Sequence, residues 1–154
     1  MEIKIVSLLT ILLYTIIASQ SVSYIISLRH VQQNMTAAEY IAFRKLTDKN
    51  FRLKFRPVIY ASLVSTLLLV ILCGIQFSVL LFTSSAIAFM ALLADIIIAV
   101  KGNVPINTII NTWTPEKYPD NWADYRSNWL QIYSIRQVLN LTGFASLLAG
   151  AVFS

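Results

Sequence analysis

From Pro57 to Ala94 the chain runs for 38 residues without a charge. As one α-helix this stretch would be about 57 Å long, roughly twice the hydrocarbon thickness of a bilayer. It is therefore expected to turn back on itself at Cys73-Gly74-Ile75-Gln76, giving one helix over about 58–74 and another over about 77–100. Two further runs have the same character. Ile5 to Leu28 holds 24 residues without a charge, and Gln137 to Ser154 holds 18, the latter extended backwards by helix-compatible sequence from Trp122. The expectation is an all-α integral membrane four-helix bundle, in a single transmembrane domain over 1–154 with helices at about 5–28, 58–74, 77–100 and 129–153. Both termini then lie on one side.

Composition agrees. Charged residues make up 12% of the 154, about half the usual share in a soluble domain, and mean hydropathy is +0.69. The first run is read as a retained helix rather than a cleaved leader. Lys4 is its only basic flank, Ala18-Ser19-Gln20 is a poor cleavage site, and the apolar run continues through Tyr24-Ile25-Ile26.

The two long connections, with the start of the fourth helix, carry eleven of the twelve Lys and Arg residues, against Lys4 alone on the other side. The positive-inside rule puts these connections in the cytoplasm and both termini outside, for a multi-pass protein of the cell membrane. The lipid bilayer is thus the expected partner. Nucleic acid is not, because the basic residues are membrane-adjacent and no groove-reading motif accompanies them. Association with further copies of the chain stays open. One cysteine, Cys73, excludes an internal disulfide or a Cys-x-x-Cys site, and one histidine, His30, excludes multi-histidine metal sites. No Glu-x-x-His spacing supports a di-iron site. No cofactor and no tightly bound metal are expected.

The first connection has structure of its own. Thr36-Ala37-Ala38-Glu39 is a capping box. The segment after it, to about 55, mixes Tyr40, Ile41, Phe43 and Leu46 with Arg44, Lys45, Lys49 and Arg52, the pattern of an amphipathic helix lying in the interface. Pro57 then suits the first turn of the second helix. The second connection gathers Asn103, Pro105, Asn107, Asn111, Trp113 and Trp122, which suggests a polar-aromatic cap over one end of the bundle.

Polar residues recur at helical spacing near that end. Gln20, Ser23, Ser27 and His30 form one stripe on the first helix, and Arg126, Trp129, Tyr133, Arg136 and Asn140 form another on the fourth. Asp95 lies six residues before Lys101, about 9 Å inside the membrane end, and Arg136 lies at comparable depth on the neighbouring antiparallel helix. Intramembrane charges face the bundle interior or a wet cavity. An Asp95–Arg136 ion pair is expected, lining a pocket with Gln20, Ser23, Ser27, His30 and Tyr133.

Asn103-Val104-Pro105-Ile106-Asn107, Trp122, then Arg126-x-x-Trp129 and Arg136 resemble the anthrone oxygenase-like family of small four-helix membrane proteins. The likeness covers essentially the whole chain, and its specific part is Asn103 to Arg136. One departure is Tyr133-Ser134, where many members have Asn-His. The resemblance implies metal- and flavin-free oxidation of a lipophilic aromatic substrate, an anthrone, by dioxygen. In that scheme Arg136 and Arg126 would stabilise an enolate, Trp129 and Trp122 would form flat walls, and His30 or Asp95 would be the base, with Tyr133 as a donor to oxygen. Asn103, Asn107, Gln20, Ser23 and Ser27 would complete the substrate site. From a different class, the alternative is a non-catalytic subunit whose polar end holds a lipid, a quinone or a partner protein. A transporter is disfavoured by the absence of internal repeats.

Overall fold

The computed structural model describes residues 2–76 and 78–154. Among the described residues the chain forms four long helices: α1 (Glu2–Asn34), α2 (Ala37–Ile75), α3 (Val79–Ile110) and α4 (Trp122–Phe153). Each is long and apolar enough to cross a membrane. At 32 to 39 residues they exceed the roughly 20 that the hydrocarbon core requires. The excess projects beyond the bundle at the end carrying the 34–37 and 110–122 connections, and builds the cap there.

The polarity of the bundle is that of a lipid-embedded protein. Large apolar side chains such as Leu8, Leu12, Val64, Ile71 and Met90 point outwards, while Ser7, Thr10, Ser62, Thr66 and Ser85 are buried. Three of these hydroxyls meet a carbonyl one turn back on their own helix, Thr10 Oγ1 to Val6 O (2.7 Å), Thr66 Oγ1 to Ser62 O (2.6 Å) and Ser85 Oγ to Phe82 O (3.0 Å). With no hydrophobic drive between helices in lipid, close approach of small residues holds the bundle. The most extensive contact is between α3 and α4. There a Cβ on Gly143 would land on the Tyr14 hydroxyl, and one on Gly150 would land on Ser84. Tyr14 in turn donates to Ala88 O (3.2 Å), so α1, α3 and α4 meet at one point.

Three helices carry a five-residue π-turn at the base of the cap: Tyr24–Leu28 in α1, Phe51–Phe55 in α2 and Ala99–Asn103 in α3. Two of them precede a proline. Arg56 N–H reaches back to Phe51 O, and Val104 N–H to Ala99 O, placing Pro57 and Pro105 immediately after the widened turn. This corrects the expected layout. The segment 37–55 is not a separate helix: it runs on through the π-turn into the second crossing, and Pro57 stands, as expected, in the first turn of the regular helix that follows. A mid-helix proline lacks its N–H and crowds the carbonyl four residues back; the wide turn accommodates both, so α2 runs on through it. The capping box is present at the start of α2, with Thr36 N–H donating to Glu39 Oε2 (2.8 Å) and Glu39 N–H to Thr36 Oγ1 (3.5 Å). Likewise α1 extends to Asn34 and α3 to Ile110, each well past its apolar run. The expected start of the third helix at Phe77 lies outside the described residues.

Candidate functional site

Two polar networks meet at the level of the π-turns. In the deeper one, Arg136 grips Asp95 with both arms, Nε to Oδ1 at 2.8 Å and Nη2 to Oδ2 at 3.3 Å. Asn140 Nδ2 donates to the same carboxylate (3.3 Å). Arg136 Nη1 reaches Asn103 Oδ1 (3.1 Å), and Asn103 Nδ2 reaches Trp129 O (3.1 Å). The expected ion pair is therefore present, buried and bidentate. The geometry follows from α3 and α4 running antiparallel, and from the wide turn that ends at Asn103.

The outer network centres on Asp48. Its Oδ1 accepts from Asn107 Nδ2 (3.0 Å), and its Oδ2 accepts from Asn111 Nδ2 (2.9 Å) and Arg52 Nη2 (2.8 Å). Asn107 Oδ1 in turn accepts from Arg44 Nη2 (3.0 Å). Asn107 thus joins α3 to α2 by spending its amide nitrogen on the carboxylate and its oxygen on the guanidinium.

Aromatic rings on α4 link the networks. The Arg44 guanidinium lies 3.7 Å from the centroid of the Trp129 ring. Trp129 stacks on Tyr133 at 4.5 Å and 25°, and the Arg136 guanidinium is 5.1 Å from the Tyr133 ring. The result is a four-layer column, cation–ring–ring–cation, arising because Trp129 and Tyr133 are one turn apart on the same face of α4. Tyr24 closes its edge, perpendicular to Tyr133 at 4.6 Å, and Gln20 Nε2 donates to the Tyr133 hydroxyl (2.7 Å).

Beside this column is a cavity of about 120 Å³. Arg44, Asp48, Asn103, Asn107, Trp129 and Arg136 contribute its polar wall, and Ile59, Ala99 and Val104 its apolar one. Its exposed lining residues are Arg52, Arg56 and Val104, so the mouth opens between α2 and α3. Four arginines against Asp48 line it, and Asp95 stands behind Arg136, leaving a surplus of positive charge.

The two innermost arginines differ in one respect. Arg136 has its carboxylate. Arg44 is 4% exposed, and among the described residues no carboxylate lies within ion-pairing distance of it. Its Nε and the Trp129 Nε1 are both buried donors without a hydrogen-bond partner.

Of the residues singled out from sequence, Asp95, Arg136, Asn103, Asn107, Trp129 and Tyr133 come together here, with Gln20 bracing Tyr133 from behind. Ser23, Ser27 and His30 do not. They are exposed on the outer side of α1, and His30 Nε2 meets only Asn34 Nδ2 on its own helix (3.3 Å). The inward face of α1 carries Ser21, Tyr24 and Gln32 instead. Trp122 and Arg126 form their own stacked pair at 4.6 Å outside the cavity, with Arg126 Nη1 donating to Met35 O (2.8 Å). Arg44, Asp48 and Arg52 are site residues that a connector reading of their segment passed over. Their i, i+4, i+8 spacing on one helix face is the signal that marks them.

No protein-family model, curated protein or solved structure matches the chain.

Proposed function

We propose that the cavity binds the anionic form of a lipophilic molecule, with Arg44 as its primary counter-ion. The observation that carries this reading is the buried Arg44 guanidinium without a carboxylate. A buried charge left unpaired is costly, and an ionised ligand oxygen supplies the missing partner. The Arg44 guanidinium, which lines the cavity beside Trp129, provides the donors for that oxygen. The flat Trp129–Tyr133 stack favours an aromatic body, and the arginine surplus lowers the energy of a phenolate, enolate or carboxylate relative to its acid. The excess of Lys and Arg in the two long connections supports a cytoplasmic cap with both termini outside.

The Trp129–Tyr133 wall beside the guanidinia, together with the family resemblance, favours a second reading in which the bound anion reacts. An enolate held there would reduce dioxygen directly, converting a ring CH₂ to C=O, with one oxygen atom entering the product and the other leaving as water. The charge developing on oxygen would be stabilised by Arg44 and Arg136. The residues first considered as bases fit this less well. His30 lies outside the cavity, and Asp95 is engaged by three donors, so ionisation of the substrate would rest on the arginines, with the proton leaving through the open mouth.

Titrating purified protein with anthrone under nitrogen, followed by the absorbance of its enolate, tests the binding reading. The enolate band is expected with wild type and is expected to be lost in Arg44→Gln. A neutral bound ligand, or equal binding by both proteins, overturns it. Admitting oxygen separates the readings, since uptake that depends on Arg44 supports chemistry and stable enolate supports a holding role.

A further inference from the structure

The cavity is too small for the molecule that its walls suit. A buried cavity of about 150 Å³ accommodates one benzene ring, and this one measures about 120 Å³. It therefore encloses one ring or one ionised head group. A larger ligand must leave through the mouth, and the mouth faces sideways. α2 and α3 pack closely below the π-turns, through Arg56–Ile75 and Val79–Ile98, and meet again above them, through Ala37–Asn50 and Val104–Ile110. Between these zones the two π-turns part. Ile59, Ala99 and Val104 flank the gap, and the exposed Arg52 and Arg56 stand at its rim.

Resting on the anion-binding reading, we propose that this gap is a lateral slot through which an amphiphile is loaded from the bilayer. Its ionised head reaches Arg44 and Trp129, and its apolar body stays in the slot against Ile59, Ala99 and Val104. Three features fit together here. Arg52 and Arg56 sit where an anionic head would first leave the interface. Ile59, Ala99 and Val104 give the slot one apolar wall. The buried Arg44 guanidinium and Trp129 ring line the inner end, where a head carrying one or two oxygens would come to rest. Arg52 is tied to Asp48 at the rim, but that carboxylate keeps Asn107 and Asn111 as donors, so Arg52 is free to follow an incoming anion while Asp48 stays hydrogen-bonded. The ligand class is thus an amphiphilic carboxylate or phenolate, longer than the cavity and drawn from the membrane.

The test uses the full chain in phosphatidylcholine nanodiscs with Trp113→Phe and Trp122→Phe, leaving Trp129 as the only indole. Stearate carrying a nitroxide at carbon 5 is compared with phosphatidylcholine labelled at the same carbon, and benzoate serves as a water-soluble head without a body. Quenching of Trp129 by the stearate beyond that by the labelled lipid is expected. The excess is expected to fall about tenfold in apparent affinity in Arg44→Gln, the equivalent of one lost charge-assisted contact. It is also expected to vanish when the slot is filled by Ala99→Phe or, independently, Val104→Phe, while benzoate raises the melting temperature of the parent protein and not of Arg44→Gln. Equal quenching by the two labels, or slot-filled variants that bind stearate as the parent does, overturns lateral loading; continued benzoate binding would then leave the anion-binding reading standing. If neither benzoate nor stearate binds the parent protein, both readings fall.

Discussion

Truncating the two arginines at the ends of the aromatic column is expected to have opposite consequences. Arg136→Met strips Asp95 of both charged donors and leaves it only Asn140, at 3.3 Å. Breaking one partner of a buried ion pair costs about 3–5 kcal/mol, because the other charge stays buried. For a chain of this size that corresponds to a melting temperature lowered by roughly 6–20 °C. Arg44→Met removes one hydrogen bond to Asn107, worth about 1.5–3 kcal/mol for a charged donor, and a contact with Trp129 worth about 2. It also removes a desolvation penalty of several kcal/mol that Asp48, reached only through Asn107, offsets in part. The net change is expected to be near zero or stabilising, with the apolar stem of methionine still covering Trp129. The measurement is thermal unfolding of both variants in the same detergent, without added ligand. A loss for Arg44→Met as large as that for Arg136→Met would refute the reasoning, since it would mean that Asp48 or another group already neutralises Arg44 in the empty protein.

Other perturbations follow from the packing. Gly143→Ala puts a methyl onto the Tyr14 hydroxyl and is expected to cost about 1–3 kcal/mol by overpacking; adding Tyr14→Phe should recover most of it, and failure to recover would point to backbone rather than hydroxyl contact. Deleting Ile26, which is 77% exposed within the α1 π-turn, should return that turn to α geometry and keep Ser21 and Gln32 inward. Melting is expected to shift only a few degrees, whereas deletion of Leu12 from regular helix should prevent folding. Arg52→Gln removes an ion pair whose arginine side chain is 45% exposed, so unfolding measurements should register a change within about 1 kcal/mol.

The crossings were legible because a 38-residue uncharged run leaves few other choices, and the Asp95–Arg136 pair because a lone intramembrane charge needs a partner at its own depth. What escaped was how far each helix continues. Charge marks where the hydrocarbon ends, not where hydrogen bonding ends, and Pro57, which looks like a start, follows a π-turn that carries the helix through and has no sequence signature of its own. The face of α1 was misjudged for a related reason. In lipid a serine can satisfy its hydroxyl on its own helix, so Ser23 and Ser27 do not need the interior, while the larger Tyr24 gains more from packing there. Arg44, Asp48 and Arg52 were hidden by company: among Lys45, Lys49 and Lys54 they look like headgroup contacts, and only the stacking of Arg44 on a ring 85 residues away sets them apart.

The cation–ring–ring–cation column has a consequence for durability. Taking an electron from Trp129 would create a positive ring against the Arg44 guanidinium, so that charge raises the energy of the oxidised indole, whereas Arg136 beside Tyr133 is balanced by Asp95. The indole at the cavity is thereby made harder to oxidise than one facing lipid. A wall built this way can stand next to reactive oxygen or a quinone without being consumed by it.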